Sequence, residues 1–92
     1  IGGSVNGGVL ATMIDMAGVA AVFTNIAEGS QPAGTADLNV TYLRQAQGQW
    51  LDAEARVVKR GRQLCTIEVR VINDGQVLCA IGRVLYALKA AV

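Results

Sequence analysis

Residues 6–27 set the terms for the fold. An Asn-Gly-Gly entry opens a long apolar segment that carries one charge, Asp15, with no other Asp, Glu, Lys or Arg before Glu28. Val9, Leu10, Met13, Ile14, Ala17, Ala20, Ala21 and Phe23 recur with the period of a helix, and Met16 and Val19 fill the remaining face. A helix that is apolar nearly all round is a buried one, so something must cover it. Asp is a poor helix former and is costly to bury without a partner. Asp15 is therefore either satisfied by a neighbouring hydroxyl or amide or kept for chemistry, and it is the first candidate functional residue.

The cover comes from the rest of the chain, which reads as a loop and four strands. Residues 28–34 gather Gly, Ser and the only Pro and mark the loop. Residues 35–46 alternate Leu38, Val40 and Tyr42 against Asp37, Asn39 and Thr41, the period of a half-buried strand. After a turn at residues 47–49, residues 50–59 set Leu51, Ala53, Ala55 and Val57 against Asp52, Glu54, Arg56 and Val58. Residues 60–62 turn into a third strand, 63–72, with Cys65, Ile67, Val69 and Val71 on one face. Asn73-Asp74-Gly75 is a hairpin signal in which Asp-Gly is expected to supply the positive φ angles. The last strand, 76–90, is apolar on both faces, so it belongs in the middle of the sheet or under cover. One helix on the concave face of an antiparallel meander gives an α+β fold, in a single domain over residues 1–92.

Hydrophobic residues make up 52% of the chain and charged residues 16%, more than a domain of 92 residues can hide by itself. A second copy is the simplest cover for the excess. A net charge of +1 and only four aromatic residues give no basis for nucleic-acid binding. Cys65 and Cys79 lie in separate apolar strands without CxxC spacing and read as buried hydrophobes, with a cytoplasmic setting as the expectation. Asp15 and the many Ala and Gly residues argue against a membrane span. The sequence starts at Ile1 without Met, so an N-terminal segment is expected to precede it.

Histidine is absent, which leaves carboxylates and main-chain amides as the chemistry-bearing groups. Asn6, Gly7 and Gly8 stand where a helix start leaves N–H groups unpaired and its dipole positive, an arrangement able to hold a developing oxyanion. Asn6 can equally be a plain N-cap, with the glycines relieving crowding. Asp15 follows Gly7 by eight residues, roughly 12 Å along a helix, too far to meet its own helix start. Two antiparallel helices in a dimer would bring Asp15 of one copy to Gly7 of the other. Arg56, Lys59, Arg60 and Arg62 cluster at a glycine turn that suits a phosphate group or is simply solvated.

The stretches NGGVLATMIDMAG, GTADLNVTYLRQAQGQ, VVKRGRQLCTIEVRV and DGQVLCAIGRVLY resemble hotdog-fold thioesterases of the phenylacetic-acid-degradation type, close to the hydroxybenzoyl-CoA thioesterase group. The resemblance runs from about Ser4 to Tyr86. It implies a long helix wrapped by an antiparallel sheet, homodimers or tetramers with sites at the dimer interface, and hydrolysis of acyl-CoA thioesters without metal. No cofactor is implied, since CoA is part of the substrate. By position, the resemblance gives Gly7 an N–H for the thioester carbonyl and makes Asp15 the general base or nucleophile. Thr35 would orient water or Asp15, and Arg60, Gly61 and Arg62 would lie near the CoA phosphates. Many members have His-Gly-Gly where this chain has Asn6-Gly7-Gly8, and Asn can position a group but not carry a proton at neutral pH. That departure keeps one rival in view, a hotdog protein that binds acyl-CoA or another hydrophobic ligand with little turnover. A hotdog dehydratase, which the resemblance associates with an Asp-His pair, has the absence of His against it, and a purely structural oligomer would leave Asp15 unexplained.

Overall fold

The computed structural model describes residues 6–26 and 28–90; Ala27, where the sequence pattern ends the helix, and Ser4, where the resemblance begins, lie outside them. The elements are helix α1 (Gly7–Phe23) and strands β1 (Ser30–Tyr42), β2 (Leu51–Arg60), β3 (Leu64–Asn73) and β4 (Leu78–Ala90). The strands form one curved antiparallel sheet in the order β1-β4-β3-β2. The doubly apolar last strand is indeed central. Among the described residues, no helix is long and apolar enough to cross a membrane.

Helix α1 lies across β2, β3 and β4 and touches β1 least. It buries one stripe, Leu10, Ile14, Gly18 and Val22, whose spacing of four keeps them on one line. This stripe meets Ile67, Val69, Val71 and Val84, all fully buried. The expectation of a helix buried all round is thus corrected: Val9, Met16 and Phe23, at intervals of seven, are exposed, Met16 at 67%. Hydropathy identified surface that wants cover, but one protomer's sheet reaches only one side of the helix.

Two β-bulges decide which side chains reach the helix. In β1 the register skips between Thr35 and Asp37, and in β2 between Val57 and Lys59. Each skip inserts one residue and reverses the alternation beyond it. Thr35 opposes buried Tyr86, and Tyr42 opposes buried Ala80, so both face the helix although seven residues apart. Likewise Val57 opposes Ile67 and Arg60 opposes Cys65, which turns Arg60 inward.

The stretch expected as a loop at 28–34 is largely strand, because β1 begins at Ser30 and pairs with the far end of β4. Pro32 is tolerated because β1 is an edge strand, and Gly34 takes a φ of 105° next to a further register skip.

The β3–β4 connection also departs from expectation. Asp74 and Gly75 do not carry the positive φ; Gln76 does, at 64°. The chain makes a turn closed by Gln76 N–H on the Asn73 carbonyl, then a left-handed residue, a three-residue connection rather than a two-residue one. Asn73 Oδ1 accepts from Gly75 and Val77 N–H and fixes this geometry. Gln76→Gly is expected to stabilise the protein by about 1 kcal/mol, because a non-glycine residue in this region is strained. Urea unfolding with an unchanged slope and a higher midpoint is the expected readout.

Candidate active site

The helix start is built by Asn6. With extended backbone at φ −61° and ψ 141°, Asn6 caps α1, and its Oδ1 accepts from Gly8 N–H at 2.7 Å. The Asn6 carboxamide oxygen is therefore engaged as an N-cap. Gly7 N–H, one position earlier, makes no hydrogen bond to another described residue and lies at the positive end of the helix dipole. Tyr42 closes the other side, its hydroxyl donating to the Gly7 carbonyl at 2.7 Å.

Asp15 sits two turns further on, half-buried, on the flank of the helix that faces β1. Ile14 points into the core, and the next residue is turned by about 100° from it. There the Thr35 hydroxyl donates to Asp15 Oδ1 at 2.7 Å. Asp15 Oδ2 has no hydrogen-bond partner among the described residues. One oxygen is held and the other is open, which leaves one carboxylate oxygen able to accept a further hydrogen bond or a proton.

The basic turn divides into two parts. Arg60 donates from Nη1 to the Val22 carbonyl and from Nη2 to the Ala21 carbonyl, each at 3.0 Å, and reaches Thr24 Oγ1 at 3.3 Å. The last turn of α1 has no basic residue of its own, so Arg60 supplies the cation at its carbonyl end, adding to the bonds that the Ala21 carbonyl already accepts from Thr24 N–H and Oγ1. Arg60, Gly61 and Arg62, together with Lys89 and Glu28, line an open cleft of about 730 Å³ at this end of the helix. With the Arg60 guanidinium turned onto the helix, Arg62 and Lys89 are the cations left to meet a ligand in the cleft.

The structure thus joins Thr35 to Asp15 and Asn6 to Gly8, and it sets the Arg60–Arg62 turn at the opposite end of the helix from Gly7. Tyr42 and Lys89 were not singled out from sequence. Tyr42 could have been, as a polar aromatic on the inward face of its strand; Lys89 carries no such signal.

Comparison with known proteins shows the family and the fold. The family model described as Thioesterase superfamily matches residues 2–80. A Halobacterium salinarum protein provisionally named an esterase is 42% identical over 72 residues, 77% of this chain and 47% of that protein. Among solved structures, a Bacillus halodurans protein crystallised with CoA superposes with a TM-score of 0.86 at 29% identity, over 94% of this chain and 56% of that one. A Ralstonia eutropha protein provisionally named a thioesterase, and described as phenylacetic acid degradation-related, gives 0.82 at 32% identity over 92% of this chain and 63% of that one. The chain spans about half the length of the curated relatives it matches.

Proposed function

The chain belongs to the thioesterase superfamily and has its hotdog fold, and from that premise we propose that it hydrolyses acyl-CoA thioesters to free acid and CoA, without metal, at sites shared between two copies. The observation that carries this reading is the Asp15 carboxylate, held by Thr35 on one oxygen and open on the other. Asp15 takes a proton from water as the water oxygen bonds to the thioester carbonyl carbon. Gly7 N–H of the facing copy stabilises the oxyanion. Collapse breaks the C–S bond, and the proton passes from Asp15 to the departing thiolate.

Two features support the second copy. The exposed stripe of Val9, Met16 and Phe23 lacks cover. The two sheet edges also differ: β2 carries Asp52, Glu54, Arg56, Lys59 and Arg60, whereas β1 carries only Asp37. The regular part of β1 beyond Pro32 and the two register skips, residues 38–42, is an edge free of charge that can pair, whereas a charged edge stays open. Pairing through β1 carries the Asp15 side of one helix towards the neighbouring copy. We place the reaction in the cytoplasm, where the two free, buried thiols of Cys65 and Cys79 stay reduced.

Thiol release from short, long and aromatic acyl-CoAs tests the activity, with size-exclusion chromatography alongside. A well-folded monomer contradicts the shared site, and CoA binding without turnover turns the reading into that of a binding protein.

In the same reading the CoA phosphates lie in the cleft at Arg62 and Lys89. Arg62→Ala is expected to weaken CoA binding and flatten its salt dependence, with thermal stability unchanged. Arg60→Ala is expected to do the converse, lowering stability by about 1–2 kcal/mol through the loss of charged hydrogen bonds to the helix end. Calorimetric titration at two salt concentrations, with melting curves of both variants, separates the two roles.

A further inference from the structure

Two successive glycines give the helix entry wide backbone freedom. The catalytic reading nevertheless requires Gly7 N–H to point one way. The structure restrains the peptide unit between Gly7 and Gly8 at both of its polar ends. Its carbonyl oxygen accepts from the Tyr42 hydroxyl, and its N–H donates to Asn6 Oδ1, each at 2.7 Å. A peptide unit is planar, so fixing its oxygen and its nitrogen fixes the plane. Gly7 N–H lies in the preceding Asn6–Gly7 unit, whose carbonyl oxygen accepts from Leu10 N–H at 3.1 Å, so with both planes held the backbone angles at Gly7 between them are set. The Tyr42 ring also lies alongside, since a Cβ built on Gly7 would meet its Cζ and Cε1 at 3.4 and 3.5 Å. Burial does not explain this placement, because Tyr42 is 52% exposed.

The route by which Tyr42 arrives ties it to the other half of the site. In a regular strand, residues 35 and 42 would face opposite sides of the sheet. The skip between Thr35 and Asp37 brings both to the helix side. One strand therefore carries the hydroxyl that holds Asp15 and the hydroxyl that holds the Gly7–Gly8 unit.

We propose that Tyr42 is a positioning residue whose hydroxyl, together with the Asn6 side chain, holds the Gly7–Gly8 peptide against the preceding Asn6–Gly7 unit, so that the backbone angles at Gly7 are fixed and its N–H, carried by that preceding unit, keeps its direction towards the thioester carbonyl. The inference rests on the thioesterase reading above. Tyr42 acts through the main chain and does not itself touch the reacting atoms.

Tyr42→Phe tests it, because the ring is kept and only the hydroxyl is lost. Amide exchange at Gly8, followed by NMR without substrate, is expected to rise about tenfold while the melting temperature stays close to wild type. In turnover, KM is expected to hold within about twofold, and kcat to fall about tenfold, less than the loss of an oxyanion donor itself. In an Asn6→Ala background the same substitution is expected to cost less, since the peptide is already released at its other end. Unchanged Gly8 exchange overturns the clamp. Faster exchange with wild-type kcat, or a raised KM with kcat intact, overturns the positioning role. Failure of the thioesterase reading looks different: wild type itself releases no thiol from any acyl-CoA, and the positioning role falls with it whatever the exchange rates show.

Discussion

Asp15→Asn is expected to lower thiol release from acyl-CoA by about two to four orders of magnitude, the range supplied by a positioned general base. The substitution is nearly isosteric, and the Asn carbonyl oxygen can still accept the Thr35 hydroxyl that holds Asp15 Oδ1 at 2.7 Å. The amide cannot take up a proton at neutral pH. Asp15 is only half-buried and Asn and Asp have similar helix propensity, so the melting temperature and the oligomeric state are expected to be retained. Stopped or continuous assay with a thiol-reactive dye is sufficient, provided CoA binding is measured on the same samples. A mutant that binds CoA and still turns over at the wild-type rate would move the general base away from Asp15.

The parts of this site that could be read from sequence are those that break a local pattern. Asp15 stands out because it is the single charge in an apolar helix, and Asn6-Gly7-Gly8 because a cap followed by glycines marks a helix start. The strand faces follow from alternation, as at Cys65, Ile67, Val69 and Val71, all buried. What hid was phase. The β2 bulge falls at Val58, in a Val57-Val58 pair whose hydropathy does not change across it, and the β1 bulge falls at Ala36, too small to weigh in either direction. Arg60 therefore read as a residue of a solvent-facing basic turn, although its guanidinium binds the helix end. The exposed stripe of Val9, Met16 and Phe23 was hidden for another reason. Hydropathy reports that a surface is to be covered, but not whether the cover comes from the same chain.

Gly82→Ala is expected to destabilise the protein by about 3 kcal/mol, or on the order of 15 °C in melting temperature for a domain of this size. A Cβ at position 82 would run into Ile14 Cγ2 and stand 3.1 Å from Ile14 Cδ1 and 3.4 Å from the Asn39 carbonyl oxygen. The fit is reciprocal. Ile14 from the helix enters the space that Gly82 leaves in β4, and Val84 from β4 enters the space that Gly18 leaves in the helix, where a Cβ would lie 2.8 Å from Val84 Cγ2. Gly18→Ala makes the sharper test of sign. In an unconstrained helix this change stabilises by about 1 kcal/mol, so a net loss of stability here can only come from the helix being forced off the sheet. Ile14→Ala should absorb most of the Gly82→Ala clash, leaving the double mutant close to the Ile14→Ala single and well short of the sum. The interlock also sets the site. Ile14 and Asp15 are consecutive, so the depth at which Ile14 seats over Gly82 fixes how far Asp15 stands from Thr35 on β1. A Gly18→Ala protein that remains folded is accordingly expected to lose turnover along with stability, whereas a surface change such as Gln76→Gly should move stability alone.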